Sequence, residues 1–195
     1  MTAGDAAITL NRTAAFNTTL SFTSLAGRSN GGTINFAATG TTPSLGTTEL
    51  VTLTGQAAKP FLGAGYFVNG SGYAAINASA QVIAATLTAA PTAATLGATT
   101  STSYLDVTGA ITAQTTATVG ALRFNTTNGL AFADGNTLQV NGLLKSGGNA
   151  ATIASAGAGT TGSLMPVIGT QELIVRTDVA ADTLTLGDGI GIINN

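Results

Sequence analysis

The chain has 195 residues, of which only 7% are charged: six basic against eight acidic, a net charge of −2, with 26 glycines and neither cysteine nor histidine. Lacking those two residue types, it has no disulfide framework, no thiolate metal site, no Cys nucleophile, and no Ser-His-Asp or Cys-His mechanism. The cations Arg12, Arg28, Lys59, Arg123, Lys145 and Arg176 stand singly, so the clustered charge that drives binding to nucleic acid or to an anionic membrane surface is missing.

Taken in chain order, the opening "MTAGDAAITL" has no basic region followed by an apolar one, so no signal peptide is expected, and the chain reads as a segment of something longer. Period-two alternation then predicts strands over 19–25 (TLSFTSL), 32–38 (GTINFAA) and 49–55 (ELVTLTG). From 56 to 103 the rhythm breaks. This stretch holds Pro60, Phe61, Tyr66, Phe67 and Tyr73, and is expected to be an irregular insert or flap. Its alanine-rich part, 74–90, reads as strand and loop rather than helix, because Ile76, Val82, Ile83 and Leu87 alternate with Thr and Ser. Alternation returns at 104–112, 120–125, 130–134, 137–142, 151–155, 172–177 and 182–187. Turn formers punctuate the runs: Asn-Gly at 30–31, 69–70, 128–129 and 141–142, and Asp-Gly at 134–135 and 188–189. No run approaches the roughly 18 apolar residues of a membrane helix, so membrane insertion is not expected.

In the second half the inward candidates Leu122, Leu130, Leu138, Leu144, Ile153, Leu164, Leu173 and Leu184 recur at short, regular intervals. Such spacing fits a sandwich, a barrel or a solenoid. Three features favour the solenoid. Turn lengths vary, which corners tolerate. Core candidates are aliphatic, with aromatics at 5% and no Trp. Charge is scarce, and stacked coils place like positions about 4.8 Å apart, where Thr, Asn, Ser and Ala stack and like charges repel. The expected fold is therefore all-β: a right-handed parallel β-helix, one domain over 1–195, with roughly 20 to 25 residues per coil and a rod of roughly 40 Å.

"ATVGALRFNTTNGLAFADGNTLQVNGLLKSGGNAATIASAG" and "QELIVRTDVAADTLTLGDGIGIINN" resemble large bacterial surface proteins with autotransporter-associated β-strand repeats, the likeness running over about 104–195. "YFVNGSGYAAINASAQVIAAT" is similar to a segment that precedes such rungs. The resemblance implies a parallel β-helix in an extracellular or cell-surface bacterial protein with a structural or adhesive task. The family's Gly-rich rung appears only in part, as "DTLTLGDGIGIINN", and no translocator barrel is expected within these 195 residues.

Chemistry has few carriers. Of the acids only Glu172, Asp178, Asp182 and Asp188 crowd together in sequence, and a polysaccharide-degrading enzyme would use Asp178, Asp182 or Glu172, with Arg176 the one nearby cation and no aromatic sugar platform beside them. Asp178, Asp182 and Asp188 offer oxygens to calcium, but the repeated Gly-rich Asp pattern of calcium rolls is missing, and Asp is favoured at turns anyway. "GAGTTGSL" and "NGSGY" lack the strand, helix and lysine of a phosphate loop. The acceptor triplets at Asn11, Asn17, Asn69, Asn77 and Asn125 arise readily in an Asn- and Thr-rich chain. Tyr66, Phe67 and Tyr73 are candidate contacts for a glycan or a partner, or else a local plug. The expectation is a structural or adhesive segment without catalysis or cofactor, which stacks end to end or continues in a longer chain; a carbohydrate-binding module is the alternative.

Overall fold

A computed structural model of the chain describes residues 4–13, 15–25, 27–169 and 172–193. Every regular element among them is a strand, and most pairings are parallel. The chain divides into two compact units, Met1–Thr86 and Leu87–Asn195.

The first unit begins with β1 (Gly4–Arg12), β2 (Thr18–Phe22), β3 (Gly32–Gly40), β4 (Glu49–Leu53) and β5 (Tyr66–Val68). β1, β3 and β5 form one parallel sheet and β2 and β4 another, so the chain alternates between the two. Ile8 lies in register with Phe36 and then Val68, and Leu20 with Val51. Residues in register on a parallel ladder point to the same face. These rows therefore bury one core of Leu10, Ile34, Phe36, Val51, Leu53, Val68, Ile76 and Val82.

Direction then reverses. Asn69 and Gly70, both at positive φ (49° and 75°), turn the chain into β6 (Gly72–Ile76), antiparallel to β5. The two residues reach this conformation for different reasons: Gly has no Cβ, and Asn tolerates it through its short polar side chain. β7 (Val82–Ala84) returns antiparallel to β6. Gln81 bridges Thr52, and Leu53 N–H donates to the Ala80 carbonyl at 2.7 Å. The free edges of β5 and β4 are thus both covered by antiparallel chain. Within the expected irregular insert, residues 66–84 hold three short strands joined by turns, and 74–90 is strand and loop.

The second unit contains β8 (Thr88–Ala89), β9 (Tyr104–Asp106), β10 (Ile111–Gln114), β11 (Ala117–Phe124), β12 (Leu130–Phe132) and β13 (Asn136–Lys145). It continues through β14 (Ala150–Ser155), β15 (Gly162–Met165), β16 (Ile174–Thr177), β17 (Thr183–Leu186) and β18 (Ile190–Ile192). One parallel sheet runs β10-β12-β14-β17, the other β8-β9-β11-β13-β15-β18, with β16 also paired to β13. From β9 to β15 the chain visits the two sheets almost turn by turn. Leu105, Leu122, Leu143 and Val175 lie in one register row, and Ile111, Leu130, Ile153 and Leu186 in another. Along the first row the chain returns after 17, 21 and 32 residues (105 to 122, 122 to 143, 143 to 175), a wider range than the spacing predicts. The last step is long because β15 and β16 share the far edge of β13, with an excursion between them.

Most inward candidates enter this core: Leu122, Leu130, Leu138, Ile153 and Leu164 are buried in it, and Leu173 and Leu184 pack against it. Leu144 does not. Its neighbour Leu143 holds the core position, in register with Leu122, and Leu144 is buried outside that cluster. Two further expectations fail locally. The run 104–112 is two strands in different sheets, β9 and β10. Asn141-Gly142 is no turn but lies inside β13, because Gly142 pairs with both Ala121 and Ile174, and flanking parallel strands hold the backbone extended.

Candidate functional site

The three aromatics that sequence brings forward do not share a surface. β5 alternates, so Tyr66 and Val68 face the first unit's core while Phe67 turns to the opposite face. There the Phe67 ring stacks on Tyr73 at 5.6 Å, and Phe61 meets Tyr73 edge-on at 5.2 Å. Antiparallel bonds from Lys59 and Leu62 to Ile76 and Ala74 hold the Phe61 segment over this cluster. Phe67 is 0% exposed and Tyr73 1%. A ring with no open face offers a sugar no stacking platform. Tyr66 alone is half-buried, with the Arg28 guanidinium 6.0 Å from its ring centroid.

Within the acidic run 172–188, Asp178 and Asp182 lie close enough for the charge of one to act on the other, and Asp182 is committed to structural bonds. Asp182 is enclosed: its Oδ1 accepts from Lys145 Nζ at 3.3 Å, from Gly148 N–H at 2.8 Å and from Asn149 N–H at 3.3 Å, while Oδ2 accepts from Val179 N–H at 3.1 Å. Lys145 is itself fully buried and also donates to the Ser146 carbonyl. Burial works to raise the Asp182 pKa, yet the Val179 and Gly148 amides, the lysine and the Asn149 amide outweigh it and hold the carboxyl below its ordinary value. Asp178 goes the other way: burial and the nearby Asp182 charge raise it, against the opposing pull of Arg176. Asp188 sits in the turn before β18, where Ser155 Oγ donates to its carbonyl at 3.2 Å. Among the described residues no three His, Cys, Asp or Glu side chains are grouped to hold a metal ion.

Two concavities border these strands. A groove of about 360 Å³ runs along the outer face of β10, β12 and β14, lined by residues including Thr112, Gly129, Ala131, Thr152 and Ala154, with no charged or aromatic side chain. A second, about 430 Å³, lies among the turns at 155–161 and 188–189, where Asp188 is the one ionisable group. Neither brings an acid and a base together.

No family model, curated protein or solved structure matches this chain.

Cross-rung ion pairs are the polar feature that sequence reading passes over. Arg12 on β1 meets Glu49 on β4 at 2.9 Å, both nearly buried, and Glu49 also accepts from Ser44 N–H and Thr48 Oγ1. The Thr48 hydroxyl, opposed by burial and helped by the Ser44 amide and Arg12, lowers the Glu49 pKa. Arg123 on β11 makes a forked contact to Asp106 on β9 at 2.8 and 3.2 Å. That pair had a signal: aligning "YLDV" with "ALRF" on their leucines sets Asp106 beside Arg123. Corners are tied in the same lateral fashion. Asn136 Oδ1 accepts from Thr116 N–H, Asp134 Oδ1 from Thr161 N–H, and Asn128 Nδ2 donates to the Thr108 carbonyl. These groups spend their hydrogen-bonding capacity on neighbouring chain, about one return along the sequence, so their chemistry is that of fasteners.

Proposed function

We propose that the chain is a structural segment of a right-handed parallel β-helix, serving as a stiff, adhesive or load-bearing part of an extracellular bacterial surface protein, and that it is not an enzyme. The observation that carries this reading is the alternation of successive strands between two parallel sheets around one apolar core in the second unit. Parallel strands joined by a crossover connection are right-handed in about 98% of cases, which supports the hand. The likeness of residues 104–195 to autotransporter-associated β-strand repeats supports the surface location. The commitment of Asp182 to Lys145 and to the Gly148, Asn149 and Val179 amides supports a non-catalytic role.

A ladder bonded rung to rung resists proteases because no segment unfolds alone at low cost. The test pairs an experimental structure of the 195-residue chain with incubation on acidic polysaccharides. The expected results are a right-handed coil and no new reducing ends or unsaturated products. Face-to-face antiparallel sheets would sink the architecture, and product formation abolished by Asp178→Asn would sink the non-catalytic role.

A further inference from the structure

The second unit shuts an amine away from water against a carboxyl. Lys145 ends β13 in register with the core residue Phe124, so its side chain enters the apolar interior. Its Nζ lies 3.3 Å from Asp182 Oδ1, and both side chains are 0% exposed. The two residues are 37 apart in sequence. Asp182 stands just before β17, which belongs to the other sheet.

The buried pair of the first unit, Arg12 with Glu49, shows what is different here. A guanidinium stays charged inside proteins and is no nucleophile, whereas a desolvated lysine can give up a proton and become one. One proton passed from Lys145 to Asp182 leaves a neutral amine facing a carboxyl group, at the roughly 3 to 3.5 Å separation of groups poised to react. The corner also supplies donors. Gly148 N–H at 2.8 Å and Asn149 N–H at 3.3 Å both reach Oδ1, which takes the negative charge when a nitrogen adds to Cγ. Backbone N–H groups placed in this way stabilise a tetrahedral oxyanion.

We propose that Lys145 and Asp182 condense into an intramolecular amide that fastens the end of β13 to the entry of β17. Nζ adds to Cγ and the C–N bond forms. Two of the three ammonium protons pass to Oδ2, the Cγ–Oδ2 bond breaks, and Oδ2 leaves as water. Oδ1 becomes the amide oxygen and keeps its Gly148 and Asn149 bonds. Ammonium and carboxylate together hold every atom of the amide and the water, so no co-reactant enters. Because the surrounding amides favour the ionised carboxyl at rest, the neutral pair is a minor form, and closure is a slow step that follows folding. The link closes a loop of chain and so removes freedom from the unfolded state, as a disulfide does. This inference stands on the corner at 145–149 and 178–182 alone and is independent of the surface-protein reading.

The test is intact-mass spectrometry of the 195-residue chain held folded at neutral pH for several days, beside the same chain held in urea and a Lys145→Arg variant. The folded wild type should accumulate a species lighter by one water. Tryptic mapping of that species should give a branched peptide joining the Lys145 and Asp182 segments, uncut after Lys145. The urea-held chain and the variant should keep the full sequence mass. If the variant does not fold, the urea control and the branched peptide still decide. A folded wild type that keeps its full mass overturns the proposal, as does equal water loss in urea. Water loss that maps to a succinimide at Asp134-Gly135 or Asp188-Gly189 overturns it too.

Discussion

The two units begin alike and finish differently. Each alternates between two parallel sheets, with aliphatic rows stacked rung on rung. The first then reverses direction at Asn69-Gly70 and seals its rows under β6 and β7. The second runs on to β16, β17 and β18 without reversing, and its rows stay open. Similar local alternation therefore builds two ends of opposite character. What separates them is a short stretch that supplies a left-handed turn and three rings, Phe61, Phe67 and Tyr73, to fill the space behind it.

The largest effect should come from charging the two ends. Val82→Asp places a carboxylate in the sealed core of the first unit, where Val82 is fully buried among Leu53 and Ile76. An unpaired charge there belongs to the exceptional class of more than about 4 kcal/mol, enough to unfold that unit. Ile192→Asp makes the same chemical change at a core-row position that is open to water, and should stay within about 0.5 kcal/mol. Urea titrations of both variants measure the contrast. Equal losses would mean that the end of the second unit is covered in solution.

Next in size is the clasp that both units use in different forms. Lys145→Ala leaves Asp182 buried without its ammonium and should destabilise the second unit by about 3 kcal/mol. Lys145→Met with Asp182→Leu removes both charges while keeping apolar bulk, and should recover most of that loss, although the Gly148, Asn149 and Val179 amides then lack their acceptor. Thermal melts of the two variants give the comparison. A double variant as unstable as the single one would show that the backbone bonds to Asp182, rather than the ion pair, hold this corner.

Period-two alternation made most of the second unit's strands and core readable, because in a parallel ladder the inward row is set by side-chain parity along each strand. Parity is also where the reading slips. "GLLK" offers two adjacent leucines, and only the register with Leu122 decides that Leu143 faces the core. Asn-Gly at 69–70 turns and Asn-Gly at 141–142 does not, since the dipeptide's local preference yields to the flanking strands at Gly142. The aromatic segment was legible as a feature but not as a location: alternation along β5 puts Tyr66 and Phe67 on opposite faces, which composition alone does not show. The ion pairs stayed hidden because Arg12 and Glu49, or Lys145 and Asp182, lie 37 residues apart and meet only once the return length of the chain is known.

The smallest expected effect separates the units by pH. In the first unit, Glu49 has a folded pKa below its ordinary 4.5, so the ionised form favours the folded state. Its contribution is whole above that value and is lost as pH falls through the lowered folded pKa. Asp182 gives the second unit the same dependence below 3.8. Asp178 adds a term of opposite sign: its folded pKa is raised above 3.8, so ionisation there opposes folding, and stability is gained as pH falls from neutral toward that value. The second unit should therefore become slightly more stable on mild acidification before both units weaken in stronger acid, while the first shows no such rise. Hydrogen exchange of β4 and β16 amides across a pH series, corrected for intrinsic exchange, reads the two units separately. Asp178→Asn should abolish the rise and leave the acid loss in place. A rise that survives the substitution would assign it to another carboxylate of the second unit.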